Sequence, residues 1–143
     1  MAFVGTFEHS LDEKGRVVLP AVFRARLAGG GVVTKADRCL AVWTAEEFED
    51  VSGALVERMK RGEADREVVR SFAADAHEFS PDGQGRIVIP QRLRDFAGLG
   101  RDVVVNGAID RIEIWDGDRW NDVNRTGEQR LGQEGYRLAD LGI

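Results

Sequence analysis

Short apolar runs rich in β-branched residues recur along the chain, and glycine, proline or aspartate often stands at their ends. The runs "RVVL" at 16–19 and "RIVI" at 86–89 are four residues long, which favours buried strands over helices. Together with the helices described below, the pattern therefore predicts an α+β fold that is mainly β. Further strands are predicted at Val4–His9, Val32–Lys35, Cys39–Trp43, Ala76–Phe79, Val103–Asn106 and Arg111–Trp115.

Between residues 44 and 76, apolar positions recur at spacings of three and four, which is typical of amphipathic helices. Thr44 and Glu47 have the spacing of a capping box at the start of the first helix. After a break at "RGEA", a second helical run is predicted over residues 68–76. The apolar stripe of the first helix consists of Phe48, Val51, Leu55 and Met59.

Shorter helices are predicted elsewhere in the chain. Pro20 and Pro90 fit the first position of a helix, because that position needs no N–H donor. The first of these helices is predicted over Ala21–Leu27 and ends at "GGG". Asp116 is predicted to cap a further helix, and the tail beyond Gly127 is expected to be loosely ordered because it has little apolar periodicity.

The chain contains an internal repeat with an offset of seventy residues. "DEKGRVVLP" at Asp12–Pro20 corresponds to "DGQGRIVIP" at Asp82–Pro90, and Arg24 corresponds to Arg94. Because a sheet of about four short strands is marginal alone, the two units are expected to close their edges into one barrel. The predicted organisation is a first repeat at 5–47, a helical connector at 48–75, a second repeat at 76–119, and a C-terminal helix and tail at 120–143.

Each repeat contains a predicted tight turn built from the same residue types. Asp12 and Asp82 can bind the backbone two residues further on, while Gly15 and Gly85 tolerate positive φ. These four residues are therefore predicted to form the turns.

Arg16 and Arg86 follow the turn glycines, and their role has two interpretations. In the structural one, each arginine pairs with the aspartate of its own turn, although exposed ion pairs contribute only ~0–1 kcal/mol. In the functional one, the planar guanidinium binds phosphate or the edge of a guanine. Lys14 adds a charge to the first turn, whereas Gln84 can hydrogen-bond a base but adds no charge. The residues alone leave both interpretations open.

The charge distribution changes what the composition implies about partners. A net charge of −5 disfavours nucleic acid, and 43% hydrophobic with 31% charged residues describes an ordinary globular domain. However, residues 1–44 carry six basic and four acidic side chains, whereas residues 45–80 carry five basic and ten acidic ones. The basic residues are richer around the two repeated stretches, which permits a local anion-binding surface.

The sequence predicts a cytoplasmic protein with no membrane span. The longest apolar stretch, Val17–Phe23, is far shorter than the ~20 residues that a membrane helix needs, and the first residues lack a signal-peptide pattern. Cys39 is the one cysteine, which excludes an internal disulfide and fits a reducing cytosol. Its apolar neighbours indicate a small core residue rather than a nucleophile.

No set of residues in the sequence indicates catalysis, a cofactor or a metal. His9 and His77 have no second histidine or cysteine at metal-ligand spacing and are interpreted as strand residues near turns. "DGQGR" does not complete the phosphate-binding pattern GxGxxG, and no GK[ST] follows it. The protein is therefore expected not to be an enzyme.

The repeated motifs resemble the signature of the MraZ family of bacterial transcriptional regulators. The pattern Asp-x-x-Gly-Arg, followed by three apolar residues and proline, occurs at both Asp12–Pro20 and Asp82–Pro90. The opening "MAFVGTFEHSLDEKGR" and the later segments "LAVW", "RLRDFAGL" and "NGAIDRIEIWD" are also similar to the family. The resemblance covers nearly the whole chain, to about Trp120.

The resemblance implies a fold, an assembly and a function. Two AbrB-like swapped-hairpin units would pair within one chain as a compact β-barrel with peripheral helices, and several chains would assemble into an octamer-like ring. The implied function is sequence-specific binding to direct repeats in double-stranded promoter DNA. The expected targets lie upstream of the division and cell-wall gene cluster and include the protein's own promoter. Repression and association with the nucleoid are the corresponding expectations.

The resemblance also assigns residues. The family's DNA-binding positions correspond to Lys14, Arg16 and Arg86 in this sequence. Gln84 stands where a basic residue is expected, so it is included in the predicted site but the two turns are expected to contribute unequally.

The alternative hypothesis is an oligomeric barrel that binds a protein partner without recognising DNA. The acidic helices predicted within residues 45–80 would then form the interface.

Overall fold

The computed structural model describes residues 2–143 and contains strands and helices in an order that repeats. The strands are β1 (Thr6–Ser10), β2 (Arg16–Val18), β3 (Gly31–Lys35), β4 (Leu40–Thr44), β5 (His77–Phe79), β6 (Arg86–Val88), β7 (Asp102–Gly107) and β8 (Ile112–Asp116). The helices are α1 (Ala21–Arg24), α2 (Ala45–Lys60), α3 (Arg66–Ala74), α4 (Gln91–Ala97) and α5 (Gly117–Leu131), followed by a 3-10 turn at Leu138–Leu141.

The strands form two antiparallel sheets in which the repeats exchange partners. The larger sheet has the order β1-β7-β8-β4-β3-β5, and the smaller sheet pairs β2 with β6. Thus β1 of the first repeat pairs with β7 of the second, and β5 of the second pairs with β3 of the first. The strand order is the same from either end when each strand is replaced by its repeat equivalent, so the chain has an internal pseudo-twofold arrangement.

The protein is a mixed α/β fold with mainly antiparallel sheet. Among residues 2–143, β1 and β5 each have one hydrogen-bonded neighbour within the larger sheet, so strand pairing leaves that sheet open. The closed barrel expected from the sequence therefore stays a prediction.

One hydrophobic core joins the two repeats. Its fully buried members come from the small sheet, the short helices and the inner face of the large sheet, so neither repeat encloses a core of its own. They include Val17, Leu19, Phe23, Leu40, Ile87, Ile89, Leu93 and Ile114.

A smaller cluster covers the other face of the large sheet, where α5 packs. Cys39, Val104 and Trp115 are buried there, with Trp120 and Val123 of α5 against them. Burial, with a smaller contribution from Glu113, raises the pKa of the Cys39 thiol to about 12. Cys39 thus lies in the core, as its apolar neighbours in the sequence indicated.

The connecting helix α2 begins as the capping pattern predicts. The Thr44 hydroxyl accepts a hydrogen bond from the Glu47 amide at 3.1 Å, and the Glu47 carboxylate accepts one from the Thr44 amide at 3.0 Å. The predicted apolar stripe is the half-buried side of the helix. From this stripe, Phe48 packs with Trp43 and Phe72, which joins α2 and α3 to β4.

We expect Thr44→Ala to lower the free energy of unfolding by about 1 kcal/mol, because the first turn of α2 loses its cap. Ser52→Ala in the same helix is the control, since the Ser52 hydroxyl donates only to the Phe48 carbonyl of its own helix. Urea unfolding followed by circular dichroism measures both variants. Equal stability of Thr44→Ala and wild type would show that the cap contributes nothing.

Helix ends differ from the sequence prediction in several places. Pro20 and Pro90 occupy the cap position immediately before α1 and α4 rather than the first helical position. α-Helical bonding in α1 ends at Arg24, and i→i−3 hydrogen bonds continue the chain to Gly30. The second connector helix ends at Ala74, since the chain must extend before β5.

The expectation of a loosely ordered tail beyond Gly127 is wrong for its first residues, because α5 continues to Leu131. Polar interactions support this helix, which is exposed from Arg125 onward and lacks apolar periodicity there. The Asp116 carboxylate accepts a hydrogen bond from the Arg119 amide at 3.4 Å, and the Asn124 amide donates to Glu128 at 2.9 Å. Within residues 2–143, no helix combines the length and the apolar content needed to cross a membrane.

Candidate nucleic-acid interface

The small sheet forms a two-stranded ribbon with one face in the core and one face outside. Val17 pairs with Ile87 at its centre, and both side chains are buried. The flanking pairs are Arg16 with Val88 and Val18 with Arg86, and none of these four residues is buried. Because strand residues alternate in direction, the outer face carries the two arginines on one diagonal and the two valines on the other.

The first turn is held together by the Asp12 carboxylate. Its Oδ1 accepts hydrogen bonds from the amides of Lys14 at 2.9 Å and Arg16 at 2.8 Å. Its Oδ2 accepts one from Arg16 Nε at 2.6 Å. The Gly15 amide donates to the Asp12 carbonyl at 3.0 Å, which completes a compact loop.

The second turn repeats this network. Asp82 Oδ1 accepts from the amides of Gln84 and Arg86 at 2.9 Å each, and Oδ2 accepts from Arg86 Nε at 2.8 Å. The Gly85 amide donates to the Asp82 carbonyl at 2.9 Å. Asp12 and Gly15 thus occupy the same places in the first turn as Asp82 and Gly85 in the second.

Both turns need glycine for two reasons. The φ angles of Gly15 and Gly85 are +74° and +76°, which other residues rarely adopt. Each glycine also carries an arginine side chain against its Cα, in the space that a Cβ would occupy: Arg94 lies against Gly15 and Arg24 against Gly85. The repeat alignment pairs these two arginines as equivalents, but no sequence pattern predicted a role for them.

The ion pairs use one edge of each guanidinium and leave the rest without a protein partner. Arg16 and Arg86 bind their aspartates through Nε, and each side chain is 27% exposed. Within residues 2–143, their Nη atoms donate no hydrogen bond to the protein. The Asp–Arg pairs of the structural interpretation are thus present, and they leave the Nη donors available to a ligand.

Lys14 and Gln84 occupy equivalent positions at the corners of the turns. Both are exposed, and in the described part of the chain their side chains make no hydrogen bond. The structure therefore brings Lys14 beside Arg16 and Gln84 beside Arg86. Because β2 and β6 are antiparallel, the two turns lie at opposite ends of the ribbon rather than side by side.

Hydrogen bonds from the Arg16 and Arg86 amides, followed by those from the side chains, lower the pKa of Asp12 and of Asp82 below the ordinary value. A carboxyl group with a lowered pKa stabilises the folded state above its unfolded pKa. That contribution is lost as pH falls through the folded value.

We therefore expect the free energy of unfolding to decrease from about pH 5 downward. Asp12→Asn/Asp82→Asn should show a weaker dependence on pH over this range, because it lacks both carboxylates. Urea unfolding at a series of pH values between 6 and 3 measures this difference. Identical pH dependence in the two proteins would mean that the turn carboxylates do not stabilise the fold.

The histidines lie in the strands where the sequence placed them. His9 is in β1, where burial lowers its pKa, and His77 is in β5. Across residues 2–143, no group of three or more histidine, cysteine, aspartate or glutamate side chains is arranged to hold a metal ion.

The protein is therefore a two-repeat α/β chain whose exchanged strands present a pair of matched Asp-x-x-Gly-Arg turns. The family model described as "MraZ protein, putative antitoxin-like" matches residues 2–70 and again residues 72–138. The chain therefore belongs to the MraZ family, as the motifs indicated.

Curated relatives are similar over most of their length. A protein of Salinispora arenicola is 50% identical over 119 residues, which cover 82% of this chain and 84% of the relative. A protein of Salinispora tropica is 48% identical over 140 residues, covering 97% of this chain and 94% of the relative. One of Thermobifida fusca is 48% identical over 128 residues, covering 89% and 90%. Each is named "Transcriptional regulator MraZ".

Proposed function

We propose that this protein is a transcriptional regulator that binds specific DNA sequences through the β2–β6 ribbon and its two turns. The observation that carries the proposal is the pair of Asp-oriented arginines, Arg16 and Arg86, whose Nη donors have no protein partner. The relatives named transcriptional regulators support the same function.

The outer face of the ribbon suits the major groove of DNA. That groove is about 12 Å wide and admits a two-stranded β-ribbon. Four residue steps along β2 separate Gly15, which pairs with Ile89, from Leu19, which pairs with Gly85, so the turns are about 13 Å apart. Each turn would then meet the DNA at a different place along the groove.

The chemistry of the side chains assigns their parts in this complex. Guanidinium groups bind guanine O6 and N7 or phosphate oxygens, so Arg16 and Arg86 would make the main contacts. Lys14 would bind a phosphate, and Gln84 would hydrogen-bond an adenine. Val18 and Val88 would contact thymine methyl groups.

The acidic net charge is compatible with this function because many of the acids lie elsewhere. The helix α2 carries Glu46, Glu47, Glu49, Asp50 and Glu57, whereas the ribbon and its turn corners carry Lys14, Arg16 and Arg86. If α2 faces away from the DNA, its repulsion is reduced, since charges are screened beyond about 8–10 Å at physiological salt.

The proposal extends to assembly and target. Within each chain, the two repeats at 5–47 and 76–119 would pair as a swapped-hairpin barrel, and several such chains would form an octamer-like ring. Neighbouring turns would then bind direct repeats in promoter DNA, and linked contacts gain affinity through effective concentration. The proposed targets are the protein's own promoter and the division and cell-wall gene cluster. The proposed effect on these targets is repression, and the proposed location is the nucleoid.

Fluorescence anisotropy tests this function. A labelled DNA fragment from upstream of the protein's own gene is titrated with protein and compared with a shuffled fragment across a salt series. We expect tight binding to the native fragment, with affinity that falls steeply as salt increases because phosphate contacts release counterions. Equal weak binding to both fragments would contradict the proposal, and sedimentation velocity on the same samples reports the size of the assembly.

Binding to a protein partner is the second candidate function. The words "antitoxin-like" in the family description and the acidic residues of α2 favour it. A partner bound there would have a basic surface. In pull-down experiments, Glu46→Gln/Glu49→Gln/Asp50→Asn would lose such a partner while keeping DNA affinity.

A further inference from the structure

Arg24 and Arg94 lie against the turns of the opposite repeat, and the proposed DNA contacts do not use them. If a Cβ were added to Gly15, it would lie 2.7 Å from Cζ and 2.9 Å from Nε of Arg94. A Cβ on Gly85 would likewise meet Nε and Cζ of Arg24, and it would lie 2.7 Å from Nη2. Each guanidinium therefore packs directly on a glycine that belongs to the other repeat.

Hydrogen bonds close each of these contacts into a small network. Arg94 Nε donates to the Ile89 carbonyl at 2.9 Å, and the Ile89 amide donates to the Gly15 carbonyl at 2.8 Å. The network thus connects Gly15 of the first repeat with two residues of the second repeat.

The same network occurs at the other end of the ribbon. Arg24 Nη2 donates to the Leu19 carbonyl at 2.9 Å, and the Leu19 amide donates to the Gly85 carbonyl at 2.9 Å. Arg24 Nε is buried and, in the described part of the chain, has no hydrogen-bond partner. Packing against Gly85 and the single Nη2 bond therefore hold this guanidinium in place.

We propose that Arg24 and Arg94 are positioning residues that set the opposite repeat's turn for DNA binding. Arg94 supports the glycine that immediately precedes Arg16, and Arg24 supports the glycine that precedes Arg86. Since the Asp–Arg pair closes the same turn, displacement of the glycine moves the guanidinium that would contact DNA. The two DNA-binding turns are thereby each built from both repeats. This inference rests on the proposed function of the turns.

The crosswise arrangement makes a specific prediction for DNA affinity. Arg94→Ala is expected to weaken binding by about tenfold, which is 1.4 kcal/mol, because Arg16 is no longer held in place. The same loss is expected in the Arg86→Ala background. In the Arg16→Ala background, the further loss should be within about twofold, since the group that Arg94 positions is already missing. Arg24→Ala should likewise weaken binding in the wild-type and Arg16→Ala backgrounds, but it should cause little further loss in the Arg86→Ala background.

Two further variants separate positioning from charge. Arg94→Lys keeps the charge but lacks the planar group that packs on Gly15, so it should bind DNA as weakly as Arg94→Ala. Arg92→Ala removes a charge from the same helix, where its side chain is 80% exposed, and should retain most of the affinity. Full affinity in Arg94→Lys would overturn the proposal, because charge alone would then suffice.

Hydrogen exchange without DNA gives an independent readout. Arg94→Ala should speed exchange of the Lys14 and Arg16 amides, which donate hydrogen bonds to the Asp12 carboxylate. It should leave exchange of the Gln84 and Arg86 amides unchanged. Arg24→Ala should show the opposite pattern. Faster exchange in both turns of both variants would indicate a general loss of stability and overturn the inference.

The outcomes also separate this inference from the proposed function. If Arg16→Ala and Arg86→Ala keep wild-type affinity, the proposed function fails. If both lose affinity while the crosswise dependence on Arg24 and Arg94 is missing, the function stands and the positioning role fails.

Discussion

The double substitution Arg16→Ala/Arg86→Ala is expected to abolish discrimination between the upstream DNA fragment and a shuffled one. Each arginine presents Nη donors that no protein group uses, held by an aspartate through Nε. Loss of one such base contact costs about 1–3 kcal/mol, so the double variant should lose at least about 30-fold in affinity. The slope of affinity against salt should also decrease, by about one for each phosphate contact removed.

The matched control is Arg58→Ala/Arg125→Ala. It removes the same charge from exposed side chains on α2 and α5, away from the ribbon. Anisotropy titrations of both variants, with circular dichroism to confirm the fold, separate local contact from net charge. If the control loses as much affinity as the ribbon variant, binding depends on overall charge and the assigned site is wrong.

Ile87→Ala is expected to produce a large loss of stability, about 2–5 kcal/mol in the free energy of unfolding. Ile87 is 1% exposed and pairs with the buried Val17 at the centre of the ribbon. The cavity left by its side chain would lie where the two repeats share their core. Both repeats should therefore unfold together in one transition.

Val88→Ala is the neighbouring control, because Val88 is 47% exposed on the outer face of the same strand. It should lower stability by less than about 1 kcal/mol. Urea unfolding followed by tryptophan fluorescence measures both variants. Equal destabilisation by the two substitutions would mean that the ribbon does not bury one face in the core.

Local pattern was sufficient to predict the strands and the turns. Four-residue runs such as "RVVL" can be identified because β-branched residues stand between turn residues, and Asp12 with Gly15 has few alternatives to a tight turn. The capping box at Thr44 likewise depends on residues three positions apart. Each of these features is fixed by neighbours in sequence.

Features that depend on distant partners could not be predicted in this way. The exchange of β1 and β5 between the repeats was predicted only from the family resemblance, because periodicity does not specify which strands pair. The contact of Arg94 with Gly15 requires that same exchange, so the repeat alignment showed the two arginines as equivalent without showing what they contact. The continuation of α5 past Gly127 was not predicted, because the polar pairs that support the helix are not visible in an apolar pattern.

The roles of Arg16 and Arg86 show how the structure changes a choice between interpretations. From the sequence, pairing with aspartate and binding of DNA were alternatives. The geometry makes them compatible, because the aspartate uses Nε and the Nη donors have no protein partner. Orientation by Asp12 and Asp82 would also reduce the side-chain entropy lost when DNA binds.

Hydrogen exchange measured by mass spectrometry, with and without the upstream DNA fragment, tests most directly whether the ribbon and its turns are the DNA-binding surface. The expectation is that the native fragment protects the peptides spanning 12–18 and 82–88, while the shuffled fragment does not. Protection confined to α2, or equal protection by both fragments, would contradict it.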